Sequence, residues 1–166
     1  MENIIQYPSI TEGWKPAMLL MILTIIIFNI IVYFMPKRLS KREMYVTSLF
    51  AIGLHLLFDI FLDVKYGLYG YFDPQFVNWE MLGVTFGIYP AVNIIFLNFY
   101  PFHQTILRKS FYIIMCSGMA VLYEWIAVYT DLFYYNGWRL IYSALLYPFL
   151  FLSLLWNYYF IKEKTQ

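Results

Sequence analysis

The sequence predicts an all-α, polytopic membrane helix bundle of about five transmembrane helices, with the N-terminus outside and the C-terminus cytoplasmic. Three observations carry that expectation. Hydrophobic residues make up 62% of the 166 residues and charged residues 13%, against about half and about a quarter in soluble domains. The apolar residues are gathered into five long stretches instead of being spaced along one helix face. The basic residues alternate between the two ends of those stretches in step with the number of crossings.

The stretches run near Pro16–Met35, Met44–Leu62, Met81–Tyr100, Phe111–Thr130 and Leu140–Ile161. At about 20 residues each they can cross the roughly 30 Å hydrocarbon layer. Short connections predict that successive helices are antiparallel neighbours or close to it. With 166 residues the chain reads as a single membrane domain. Glu2 and Glu12 stand where a cleaved leader would carry basic residues, so the first stretch is expected to stay as a helix.

Orientation follows from Lys and Arg. The first connection holds Lys37, Arg38, Lys41 and Arg42, the third Arg108 and Lys109, and the tail Lys162 and Lys164, which is eight of eleven. The opposite side has Lys15, Lys65 and Arg139 and collects Glu2, Glu12, Asp63, Asp73, Glu80 and Asp131. The basic side belongs in the cytoplasm. Tyr (17) and Trp (5) fall at many stretch ends, as interfacial rings do.

Composition also limits function. A net charge of +1 gives no reason for a nucleic-acid partner. One cysteine, Cys116, can build neither a disulfide framework nor a cysteine metal site. No nucleotide-binding loop, His-Glu-x-x-His or nucleophile elbow is present. No cofactor or metal is implied. The partners expected are the lipid bilayer and a second copy or larger membrane complex, because five helices leave little room for a closed pathway.

Polar residues inside the stretches point to a site. His55, Asp59 and Asp63 are four apart and form one helical stripe. An ionised Asp at a helix centre costs about 3 kcal/mol on insertion. The ten Leu, Ile and Phe residues between Leu49 and Leu62 each return about 0.3–0.6 kcal/mol. The helix inserts, but Asp59 needs a partner. Glu124 is the candidate, at a similar outer depth on a helix running the same way. Two carboxyls in a dry interior repel, so one proton shared between Asp59 and Glu124, with His55 below, is the expected arrangement. Ser117, Glu124 and Asp131, seven apart, share a face. Thr85, Tyr89 and Asn93 form a stripe facing the same interior, and Gly83 and Gly87 are a small-residue packing pair. Pro90 and Pro148 are expected to kink their helices, and the carbonyls they free need other partners.

The outer connections are rich in aromatic and acidic residues: Asp63, Tyr66, Tyr69 and Trp79 in one, Asn136 and Trp138 in the other. Gly67, Gly70 and Gly137 permit tight turns there. Two roles are open: an interfacial aromatic belt, or a lid over the polar cluster.

The segments Leu62–Phe72 (LDVKYGLYGYF), Gly87–Pro90 (GIYP), Tyr123–Trp125 (YEW), Tyr134–Trp138 (YYNGW) and Tyr142–Pro148 (YSALLYP) carry a family resemblance. From about residue 45 to the end, the chain resembles an uncharacterised family of small five-helix membrane proteins of spore-forming Gram-positive bacteria, bacilli and clostridia. That implies a bacterial plasma membrane and supplies no activity. A Glu-Trp pair followed by an aromatic Gly-Trp loop is also similar to membrane enzymes of carotenoid metabolism, although the paired acidic signature of the cyclases is missing.

Three functions compete. The chain is a small transporter-like or accessory subunit whose cluster His55, Asp59, Glu124, Tyr89 and Asn93 binds a proton, cation or polar solute. Alternatively it is an intramembrane enzyme acting on a prenyl or other lipid, with Asp59 or Glu124 as acid–base group and His55 assisting. Or it is a structural component of the membrane or spore envelope.

Overall fold

A computed structural model of the chain describes residues 16–72 and 80–163. Trp79, with Glu2, Glu12, Lys15, Asp73 and Lys164, lies outside the described residues. The described chain is helical, with five stretches long and apolar enough to cross a membrane. The first is α1 (Pro16–Phe34). The second is α2 (Lys41–Asp59), continued by a π-helical turn, π1 (Ile60–Lys65). The third joins α3 (Glu80–Gly83), a second π-helical turn π2 (Val84–Ile88) and α4 (Tyr89–Phe99). The last two are α5 (Ile106–Tyr129) and α6 (Leu140–Glu163).

Local chemistry sets the ends. The second stretch starts at Lys41, three residues earlier than hydrophobicity suggests, because Ser40 and Glu43 form a capping box. Glu43 N–H donates to Ser40 Oγ at 3.2 Å and Ser40 N–H to Glu43 Oε2 at 2.7 Å. The two bonds satisfy backbone donors that a first turn leaves unpaired. At the other end, Gly67 takes φ +59°. Its N–H bonds the Asp63 carbonyl and the Leu68 N–H the Leu62 carbonyl, which turns the chain out of π1. Helix α5 stops in a Schellman arrangement: Leu132 N–H reaches Ala127 O, Asp131 N–H reaches Val128 O, and Asp131 itself has φ +59°. Asp131 is therefore a helix terminator, exposed, and not part of an acidic face with Glu124.

Both terminators release a strand. β1 (Tyr69–Tyr71) pairs antiparallel with β2 (Phe133–Tyr135) in the register Tyr69↔Tyr135, Gly70↔Tyr134, Tyr71↔Phe133. Flanking bonds extend the ladder: Phe72 N–H to Leu132 O, and Asn136 and Trp138 N–H to Leu68 O. A helical sequence pattern hides this short sheet, which joins two of the connections.

The third stretch packs against both α1 and α2, α2 also packs on α6, and α5 packs on α6. The third stretch also touches the fifth, and the fourth closes back on the first, Tyr123 Oη donating to Thr24 Oγ1 at 3.1 Å. The expectation that successive helices are neighbours is thus corrected for α1, which docks on π2 and α4 and not on α2. Gly87 permits this approach: a Cβ there would meet Ile25 at 2.9 Å. Pro90 does not break the third stretch, because π2 widens the turn before it. Asn29 Nδ2 crosses from α1 to the Gly87 carbonyl at 3.0 Å, so the irregular backbone is served from a neighbouring helix.

Apolar packing divides in two. One cluster gathers Leu39, Ala51, Phe96, Leu97, Phe151 and Leu154 toward the end with the basic residues. The other gathers Ala17, Met21, Val84, Ile88, Ala127 and Phe133 under the sheet. Outward, side chains such as Ile26, Ile30, Leu122 and Phe149 stay exposed.

Asn98, fully buried, fastens the first connection: its Oδ1 accepts from Arg38 N–H (2.7 Å) and its Nδ2 donates to Pro36 O (3.0 Å). Asn98→Leu keeps the volume but orphans both backbone groups, a loss of about 1–3 kcal/mol for each group that stays dry. Thermal unfolding in detergent, followed by thiol or tryptophan fluorescence, should show a midpoint several degrees lower. An unchanged midpoint would refute the tether.

Candidate functional site

The polar side chains lie one turn to the sheet side of the first apolar cluster. Ala51 on α2 gives way to His55 and Asp59, and Phe151 on α6 to Tyr147 and Ser143. His55, Asp59 and Glu124 are 6%, 3% and 6% exposed, so each must find its partners inside the protein.

Asp59 has two. Tyr69 Oη donates to its Oδ1 at 2.8 Å, and His55 Nε2, one turn back on α2, stands 3.3 Å from its Oδ2. His55 Nε2 is also 3.2 Å from Thr85 Oγ1, whose own hydroxyl donates to the Met81 carbonyl at 2.9 Å. With that hydroxyl committed, Thr85 can only accept, so the network assigns the proton to Nε2 of His55. The imidazole is stacked on Tyr89, ring centres 3.7 Å apart and 16° between planes. Tyr89 Oη meets Tyr71 Oη at 3.2 Å.

Glu124 is served by hydroxyls. Tyr135 and Ser143 each donate to Oε1 at 2.6 Å, and Tyr147 donates to Oε2. Trp138 Nε1 donates to Ser143 Oγ at 2.8 Å, so the serine hydrogen is free to point at the carboxyl. Among the described residues the one acid–base side-chain contact is His55–Asp59, an ion pair only when the imidazole is protonated, and Glu124 has no Lys or Arg partner. Burial, with the neighbouring carboxyl second, holds the phenols of Tyr69 and Tyr135 above their ordinary value, which keeps both as donors.

The two acids therefore do not pair directly, and the shared proton expected between them is replaced by separate sets of donors. The reason is the helix order: α6 stands between α2 and α5. What connects the acids is the sheet. Tyr69 and Tyr135 are cross-strand partners, and each hooks one carboxyl.

The other expected residues divide. Asn93 is buried but points to Thr47, its Nδ2 donating to Thr47 Oγ1 at 3.0 Å, a separate contact nearer the basic end. Asp63 falls in π1, where the wider turn takes it off the His55–Asp59 stripe, and it is half-buried. Tyr66 is exposed with Lys65 Nζ over its ring. Asn136 ties the two connections by donating to Gly67 O at 2.9 Å. Trp138 enters the site through Ser143. Ser117 is buried without a hydrogen bond and away from Glu124's partners.

No protein-family model, curated protein or solved structure matches this chain. Its chemistry has to be read from the site itself. Among the described residues no three His, Cys, Asp or Glu side chains gather as a metal site would require. Two carboxyls carried on different helices, ringed by phenols, can instead hold a proton or a singly charged cation.

Tyr135, Ser143 and Tyr147 are partners of Glu124 that the sequence does not mark out, whereas Thr85, on the stripe expected to face the polar interior, does reach His55. The i, i+4 spacing of Ser143 and Tyr147 was the available signal. Glu124→Gln should be more damaging than any single hydroxyl deletion, because it replaces the carboxylate that three hydroxyls serve with a weaker acceptor and makes at least one of them turn to accept from the amide. Tyr135→Phe or Tyr147→Phe should cost about 1–3 kcal/mol and Glu124→Gln more. Ranking the three midpoints by thermal unfolding checks this, and equal midpoints would contradict the donor assignment.

Proposed function

We propose that this chain is a multi-pass plasma-membrane protein, N-terminus outside and C-terminus cytoplasmic, that binds a proton or small cation in its outer half. It would act as a small transporter-like unit or as an accessory subunit of a larger membrane assembly. Five apolar helical stretches and their exposed apolar side chains support residence in a bilayer. Basic residues at the end opposite the sheet support the orientation. The resemblance to small membrane proteins of spore-forming bacteria supports a bacterial plasma membrane.

One observation carries the functional reading. Asp59 and Glu124 are buried on different helices, and neither is neutralised by Lys or Arg among the described residues. Buried acids in a membrane span are expensive and typically mark ion or proton sites. The hydroxyls on Glu124 are neutral, so they satisfy hydrogen bonding and leave its charge to be balanced by a ligand.

A second reading rests on an apolar groove of about 320 Å³ between α2, π1 and α6, lined by Phe58, Leu62, Trp138, Tyr142, Leu145 and others. Trp138 connects that groove to Ser143 and so to Glu124. A lipid or prenyl chain seated there would put its polar end near an acid–base group.

Purified protein in liposomes should carry proton or monovalent-cation flux. Asp59→Asn should reduce it to about a tenth or less, the loss of one charge-assisted contact of about 1.5–3 kcal/mol. Flux that persists unchanged in Asp59→Asn and Glu124→Gln sinks the cation reading. Bound lipid that is chemically altered on incubation would favour the second.

A further inference from the structure

The β1–β2 sheet sits on the bundle in an unusual way. Its residues alternate, so Tyr69 and Tyr71 share one face with their register partners Tyr135 and Phe133. That face is turned into the protein. Its three hydroxyls end on three different helical stretches: Tyr69 on Asp59 of α2, Tyr71 on Tyr89 of α4, and Tyr135 on Glu124 of α5. Tyr69, Phe133 and Leu132 are buried with it. On the opposite face Gly70 leaves room for the Tyr134 ring; a Cβ there would lie 2.3 Å from the Tyr134 hydroxyl.

A two-stranded sheet is marginal by itself. This one is held down by three hydroxyl contacts and by Tyr69, Leu132 and Phe133, which are buried in the apolar cluster with Met21, Val84 and Ala127. It is also held together, by its ladder, by the flanking bonds of Phe72, Asn136 and Trp138, and by the Asn136 side chain on Gly67. The bonds within the sheet outnumber its hooks to the bundle. When it lifts, it lifts as one piece.

We infer that the sheet is a single gate over both carboxyls, so that Asp59 and Glu124 are uncovered together and never one at a time. The acids lie on helices that are not packed on one another, and the cross-strand pair Tyr69–Tyr135 is the element that joins them. A ligand reaching either carboxyl from the sheet side must displace a phenol, and displacing one draws the other away. This gate rests on the acidic site being the place where a ligand binds, but its behaviour can be measured with no ligand present.

The test is carboxyl labelling of the full-length protein in liposomes, using a water-soluble carbodiimide with glycine ethyl ester added from the sheet side and mass spectrometry as readout. Tyr71→Phe is the decisive variant: it removes the hook to Tyr89 and touches neither acid. Labelling of Asp59 and of Glu124 should both rise about fivefold, the weight of one neutral hydrogen bond. Tyr69→Phe should raise labelling at Glu124 as well as at Asp59, and Tyr135→Phe should do the converse. A rise confined to the acid adjacent to the deleted hydroxyl overturns the single gate, as does no rise in Tyr71→Phe. Should Tyr69→Phe unfold, Gly70→Cys/Tyr134→Cys provides a second arm. Oxidising that cross-strand pair must leave labelling in Tyr71→Phe unchanged if the strands move together, and must block it if they separate. Absence of cation flux through the wild-type protein, with this labelling pattern intact, would discard the cation reading and keep the gate.

Discussion

The site depends on one constraint: a carboxyl buried in an apolar bundle must be given donors, and here tyrosine hydroxyls supply most of them. Glu124 takes two phenols and a serine, and Asp59 takes a phenol at Oδ1, with the His55 imidazole 3.3 Å from its otherwise unbonded Oδ2. Among the described residues no lysine or arginine pairs with either acid. A phenol brings a hydrogen bond and a large apolar ring in one side chain, so it can satisfy an acid without carrying a charge into the interior. The abundance of tyrosine in the sequence has in part this origin, and not only the interfacial one.

The same constraint explains the backbone irregularities. Two π-helical turns occur at the sheet-side ends of the second and third stretches, where the acids and their partners are. π-turns interrupt the regular ladder and recur at functional sites. Here one precedes Pro90, and the Asn29 amide on Gly87 serves the disturbed backbone. Gly87 has two tasks, close approach to Ile25 and exposure of its carbonyl to α1.

Much of this was legible in the sequence, and the limits are instructive. Five helical stretches followed from unbroken apolar runs, because length and hydrophobicity suffice for that. His55 and Asp59 as neighbours followed from a spacing of four. The meeting of Asp59 with Glu124 did not follow, because depth along two helices says nothing of what stands between them, and α6 stands there. The strands escaped notice because three residues of Tyr and Gly give no alternation distinguishable from an aromatic belt. Asp131 looked like part of an acidic face, whereas its left-handed backbone makes it the end of α5. Asn93 looked like part of the acid cluster and turned out to serve Thr47.

The spatial order of the helices has a consequence for assembly. Chains emerge from their N-terminal side, yet α1 finds its docking surface only when the third stretch is present. The first two stretches must wait in the bilayer without their final neighbours. Glu124 is completed later still, by Tyr135 from the last connection and by Ser143 and Tyr147 from the last helix. A chain cut short before α6 would leave Glu124 with the Tyr135 phenol but without Ser143 and Tyr147.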